Sequence, residues 1–569
     1  MTKLRGSLVS LAFVALFGCG PGAPAAPRPG GPAPQPGAPK TLTIGQQTPR
    51  EGFAPWFIAG PPGPLQWEEL HSNFLVTADG AGNFESWLAA RLPSLSDGSV
   101  EILSDGGLRT TWKIHPNVKW HDGRPFTTED VVFGWQVGIH PDIPVSRSPT
   151  LRAVATMETP DPQTLVITYS STFYLFLSLG FRDLYPLPKH LLEEAFQGPK
   201  DSFINLPFWS SGYIHNGPFR VKEFVPGEQV TLERFDDYFL GRPKVDRIII
   251  RFIADNNAIV AGLLSSSVDI TGDLPTDMVV RLAEQWRQTG GGWVRSRQAF
   301  WRFVAVQFLP EWGGPPELQQ DVRVRRGLTH LIDRDALRTT IYPGFTDTEG
   351  DTFMVAGDAR SPIVGKPFAR FPYDPGAAAR EFAGAGWRRA GDGQMLNTAG
   401  EQVRINLRAP TSDVETDLAV IARNWRELGI DVVEEVTPPP LRRDNEFNVK
   451  FPGLEITSQG SGDRIFRRFD SRLRPTAQNR FAGSNSGNYV NPAMDRLIDQ
   501  FSSTLDENRG ALLLREKGDL LATDLPVLPL YFHVRTVVGL QHVAGVDDVH
   551  GAAGSIGTVG KTGHLWDRQ

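Results

Sequence analysis

A single cysteine, Cys19, stands in 569 residues, so the mature fold holds no intramolecular disulfide and no cysteine-based metal cluster. Missing too are a GxxxxGK[ST] phosphate loop, an HExxH helix and a GxSxG elbow, the sequence signs of ATP hydrolysis, zinc proteolysis and an activated serine. The eleven histidines are scattered. His115 and His121 are separated by residues that give no reason for a shared metal, and His121 reads as a turn residue. An enzyme would need convergent acid, base and nucleophile groups, and the sequence displays none. Nor does one sign of charge dominate: a net charge of −6 without long runs argues against nucleic acid and an anionic membrane surface as partners.

Apolar runs are short where the chain begins. Leu8 to Phe17, as a helix, would reach about 15 Å against about 30 Å of hydrocarbon, too little to span a bilayer. With Lys3 and Arg5 before it, the run reads as a signal peptide over residues 1–18. Leu16-Phe17-Gly18-Cys19 resembles a lipobox, which makes Cys19 the lipid attachment point. Phe17 is larger than the residue usual there, and an ordinary signal peptide cut nearby is the alternative. Residues 20–40 contain eight Pro, five Gly and five Ala and cannot form a core. At about 3.1 Å per residue, such a tether (19–40) extends up to roughly 65 Å. The remaining chain is long enough for two lobes or more. Its 14 tryptophans are mostly structural, with some rings free to line something other than the core.

The most informative window is 111–136, TWKIHPNVKWHDGRPFTTEDVVFGWQ. Trp112, Ile114, Val118 and Trp120 precede an Asp122-Gly123 turn, where Gly accepts positive φ. Thr127 and Asp130 then fit a capping box ahead of the apolar helix face Val131, Val132 and Trp135. The window resembles the signature of the family 5 extracellular solute-binding proteins, the peptide- and nickel-binding receptors of bacterial ABC importers. Further blocks carry the same resemblance: 216–243, a hairpin joined by Pro226-Gly227; 322–337; 489–498, with Asn491 capping a helix before Pro492; and 525–531.

Between these blocks, Arg247 to Ile253 reads as a strand covered on both faces, and 293–308 as the strand that crosses into a second lobe. Val403-Ile405-Leu407, the helix 412–428 and the strand 430–436 form a β-α-β unit. Residues 68–74 and 86–92 read as helical. The resemblance implies an α/β, two-lobed periplasmic-binding-protein-like fold of type II, in the large cluster with an extra subdomain, and a hinge between the lobes. The expected boundaries are lobe I over 41–299, lobe II over 300–526, and a return to lobe I over 527–569.

In that family the ligand lies between the lobes and is trapped by hinge closure. The first strand runs into the cleft, which makes Gln46, Arg50 and Trp56 candidates for ligand contact; a surface loop with a docked Trp is the other reading. Trp301 and Gln307 are candidates from the crossing strand. Peptide receptors hold the ligand's ammonium with an Asp in the second lobe, and the matching stretch places Ser458, Gln459, Gly460, Asp463 and Arg464 at the site. Arg464, Arg467 and Arg468 follow where the family has Asp-Pro. They fit either an anionic ligand or a solvated helix face. The implied function is non-enzymatic: capture of a peptide or peptide-like solute, delivered to permease subunits served by a separate ATPase. An oligosaccharide or another non-peptide organic solute is the alternative. The implied receptor is a monomer without cofactor or metal, in the periplasm or on the exterior of the cell envelope, and anchored to a membrane only by the lipid on Cys19.

Overall fold

The aromatic and β-branched run at 293–308 forms the longest strand of the computed structural model, Gly292–Val306, paired antiparallel with Val527–Leu540. These two strands form the middle of a ten-stranded sheet. On one side follow Leu454–Gly460, Arg404–Ala409 and Asp431–Val436; on the other lie Ile270–Gly272, Thr41–Gln46, Arg247–Phe252, Gln229–Arg234 and Phe219–Val225. The structure describes residues 39–49, 52–53, 65–79, 83–143, 149–272, 274–345, 348–411, 414–546 and 559–569. Cys19, the tether up to residue 38, Arg50 and Trp56 lie outside the described residues. Lys40 to Gln569 forms one compact unit.

Both long strands pass from one hydrophobic core into another. Trp293, Val294, Val537 and Val538 belong with Leu42 and Ile248, whereas Trp301–Val306 and Val527–Phe532 belong with Ile421 and Trp425. Between the two cores the pairing slips out of register, between Gln298 and Trp301, and Arg295 and Ser296 are exposed. A third core, from Leu75 to Leu184, surrounds a four-stranded sheet of Val100–Ile102, Leu108–Lys113, Thr164–Tyr169 and Val154–Asp161.

The 111–136 window builds part of that third core. Trp112, Ile114, Val118 and Trp120 are buried, and Gly123 turns the chain at φ 87°. The helix Thr128–Ile139 starts as expected: the Thr127 N–H donates to Asp130 Oδ2 at 2.9 Å, an oxygen that also accepts Trp120 Nε1–H at 3.1 Å. His121 is buried; its Nε2 faces the Gly217 carbonyl at 3.0 Å, and the His215 N–H donates to its Nδ1 at 3.2 Å. It staples two chain segments, as a turn residue does.

Two expected helices do not form. Of 68–74, only Glu68–Leu70 is helical, within a 3₁₀ turn over Leu65–Leu70. The rest is bound from a distance, with Ser72 Oγ 2.8 Å from Tyr213 Oη and Asn73 Nδ2 donating to Tyr238 Oη at 2.9 Å. In 86–92, the N–H groups of Trp87, Leu88 and Ala89 donate to the carbonyls of Phe74 and Leu75. Long-range partners there outweigh a weak local preference.

Candidate functional site

In the Trp301-to-Val527 core the strands Asp431–Val436, Arg404–Ala409 and Leu454–Gly460 run parallel. Open α/β sheets receive ligands at the carboxyl ends of such strands. Leu454–Gly460 overruns its neighbour: its last pair with that strand is Arg408↔Glu455, leaving 456–460 bonded on the other side alone, to Phe300–Val304. Ser458, Gln459 and Gly460 are half-buried there. Ser458 Oγ accepts from Arg302 Nε at 3.2 Å and lies 3.1 Å from His533 Nε2, whose Nδ1 is 2.9 Å from Tyr342 Oη. Beneath them, buried Asp417 accepts from Arg302 Nη1 at 3.1 Å and from Tyr531 Oη at 2.7 Å.

Just past the strand, Asp463 is enclosed by charge. Its Oδ1 accepts from Arg360 Nη1 at 2.9 Å and its Oδ2 from Tyr174 Oη at 3.1 Å. Arg360 is itself aimed by Asp358, which accepts from its Nε at 3.0 Å and its Nη2 at 2.8 Å. Burial alone would raise the Asp463 carboxyl; Arg360, helped by Arg464 and Lys517, holds it below the ordinary carboxylate range. The Lys517 ammonium lies 3.7 Å from the Phe501 ring centre and 4.1 Å from that of Phe466. Burial lowers its pKa to about 7 against the pull of Asp463.

Tyr174 comes from the chain of the third core, so this cluster joins two cores. Its ring meets Phe501 at 4.6 Å and its N–H donates to Ser502 O at 3.2 Å, while Leu505 packs back against the third core. The remaining candidates sit apart. Trp301 is fully buried among Phe303 and Phe368, its Nε1–H on Gly350 O at 3.1 Å. The Gln307 amide is also fully buried, donating to Val449 O and accepting from Leu309 N–H and Asn488 Nδ2. Neither presents a free surface in this structure. Gln46 lies at the end of the first strand, its Nε2 on Thr48 O at 2.6 Å. With Phe53, Trp67, Glu68 and His71 it lines a recess that leaves about 10 Å³ for the centre of a water molecule, room for about one water.

The profile of the bacterial extracellular solute-binding proteins, family 5 (middle region), matches residues 83–457. The chain belongs to this family. The oligopeptide-binding protein AppA of Bacillus subtilis is 25% identical over 480 residues, covering 82% of this chain and 81% of that protein. An ABC transporter peptide-binding protein of Brucella ovis is 27% identical over 417 residues, covering 70% and 71%. Among solved structures, the oligopeptide-binding protein of Thermus thermophilus complexed with a pentapeptide superposes with a TM-score of 0.66 at 20% identity, covering 93% of this chain and 96% of that one. The fold of this family member is thus the two-lobed α/β fold of type II periplasmic binding proteins.

The sequence candidates Ser458, Gln459 and Gly460 lie at this strand end and Asp463 just past it, while Arg360, Tyr174 and Lys517, which the structure brings against Asp463, were not among the candidates. One local signal was available for Arg360. Asp-x-Arg occurs at Asp122/Arg124, Asp321/Arg323, Asp358/Arg360 and Asp470/Arg472, and in the last three the Asp accepts both the Arg N–H and its guanidinium. Among the described residues no group of three or more His, Cys, Asp or Glu is placed to hold a metal ion, and no helix is long and apolar enough to cross a membrane.

Proposed function

We propose that this solute-binding protein captures a peptide or peptide-like solute between its two lobes and hands it to an ABC permease powered by a separate ATPase. The observation that carries the peptide reading is the pair of peptide-binding relatives, each matched over at least 70% of both chains. In this reading lobe I comprises 41–299 and 527–569, lobe II comprises 300–526, and the hinge lies where the two long strands leave one core for the other. Binding is non-covalent. A micromolar dissociation constant corresponds to about 8 kcal/mol, within reach of a few charge-assisted hydrogen bonds and desolvated aromatic contacts.

The test is a thermal-shift screen of short peptides against oligosaccharides, since a ligand that binds only the native state raises its stability. Peptides are expected to raise Tm; a shift with sugars and none with peptides rejects the reading. We also propose that cleavage before Cys19 leaves a lipidated cysteine, with residues 20–40 as tether to the membrane. Cys19→Ser is expected to move the protein from the membrane to the soluble fraction, and unchanged membrane association counts against the anchor.

A further inference from the structure

Tyr174 joins the third core to the Trp301-to-Val527 core away from the chain crossing, for neither Gly292–Val306 nor Val527–Leu540 supplies its partners. On its own side the tyrosine is held from both directions. Two residues before it, the Thr172 N–H and Oγ1–H both donate to Gly106 O, at 2.7 and 3.1 Å; two residues after it, Phe176 is buried in the third core. Across the seam it meets the Asp463 carboxylate, the Phe501 ring and the Ser502 carbonyl. With the lobe boundaries given above, this seam lies between the lobes, and it must part when they separate to admit a solute.

The way the acceptor is built decides what parting costs. A buried carboxylate that lost its sole partner would be stranded, at a cost larger than the bond itself contributes. Asp463 avoids this. Its Oδ1 is held by Arg360, and Arg360 is held in turn by both oxygens of Asp358. These three residues all stand among the Trp301-to-Val527 core, flanked by Val355, Val364 and Ile465. Tyr174 uses the other oxygen, Oδ2. When the hydroxyl withdraws, the carboxylate therefore stays paired and charged, and the loss is one hydrogen bond to a charged acceptor. The donor is as constant as the acceptor. Burial first, and then the Asp463 charge, raise the Tyr174 phenol well above its ordinary value, so it keeps the proton it donates.

We propose that Tyr174 and Asp463 form a reversible latch between the lobes, which favours the closed receptor with or without solute and slows the release of whatever it holds. The proposal rests on the lobe boundaries and the closure given above, and not on the solute being a peptide.

The test has one arm without solute. Spin labels on Glu158→Cys in the third core and Asn508→Cys in the helix Glu507–Asp524, both exposed positions, report the distance between lobes by double electron–electron resonance in a Cys19→Ser background. Tyr174→Phe is expected to raise the ratio of long to short distances about tenfold, and Tyr174→Ala, which also takes the ring off Phe501, to raise it further. The Tm of each variant reports its folding, and distance distributions unchanged in both variants overturn the latch. In the second arm, wild type and Tyr174→Phe are loaded with a random pentapeptide library, diluted and passed through a filter, and the retained peptide is measured by mass spectrometry. The variant is expected to retain at least fivefold less. Equal retention overturns the part of the proposal that concerns release. Distances that shift in Tyr174→Phe, with no peptide retained by either protein, uphold the latch and count against the peptide reading instead.

Discussion

Asp463 shows what a residue-level reading recovers and what it leaves out. The family resemblance singled it out from sequence; the Arg360 that neutralises it stands 103 residues earlier, and no local pattern joins the two. Trp301 shows the converse. An abundant, amphipathic residue type suggested a lining ring, but the strand's pleat turns this one into the core, with its N–H satisfied. His121 gives a residue-scale test. Burial pulls its pKa from 6.5 to about 4, against the Gly217 carbonyl that favours the protonated ring, and burial likewise pulls His215 down to about 3. The unfolded chain takes up these protons near pH 6.5 and the folded chain only well below it. Stability is therefore complete above pH 6.5 and is lost as pH falls from there toward 4, by about 3 kcal/mol per histidine over that interval. Urea midpoints should fall accordingly, and His121→Gln should remove its share of the slope while His215 keeps its own. A flat profile in the wild type would contradict the assignment.

Elements were legible where their determinants are local. The 219–234 hairpin, the Asn491-capped helix Pro492–Ser502 and the 404–436 β-α-β unit all form, because turn residues, caps and apolar spacing lie within a few positions of each other. Residues 68–74 and 86–92 were misread because their hydrogen-bond partners are distant. The helix Thr128–Ile139 depends on close approach as well as on its cap. A Cβ on Gly134 would lie 1.9 Å from the Tyr185 carbonyl oxygen, and that neighbour is backbone with no side-chain freedom to yield. Gly134→Ala should destabilise by about 3 kcal/mol or more, read by chemical denaturation; an unchanged midpoint would rule out this packing. The contact between the chain of the third core and the Trp301-to-Val527 core offers a second test. Tyr174→Phe keeps the ring on Phe501 and removes the bond to Asp463, worth about 1.5 kcal/mol for a charged acceptor. Amide exchange should quicken at both 172–176 and 501–505, and a change at neither would mean that the hydroxyl does not hold the two segments together.

At the scale of the whole molecule, the two-lobed α/β fold was legible because five separate blocks placed the chain in one family. The crossing was only partly so: sequence indicated a crossing strand at 293–308 and a return over 527–569 but not that the two pair with each other, whereas the structure joins them as two long strands that run through both cores and lose register between them. In the proposed capture by closure, this place between the cores is where the two strands bend. Ligand identity was the least legible feature, since it rests on the charge left over after internal pairs form, and those pairs join residues remote in sequence. The central claim is capture without chemistry. Isothermal titration of the purified protein with the peptide found by thermal shift should give one-site binding near micromolar Kd, about 8 kcal/mol, with the peptide recovered intact on release. No saturable heat with any peptide, or recovery of a cleaved peptide, would contradict the account.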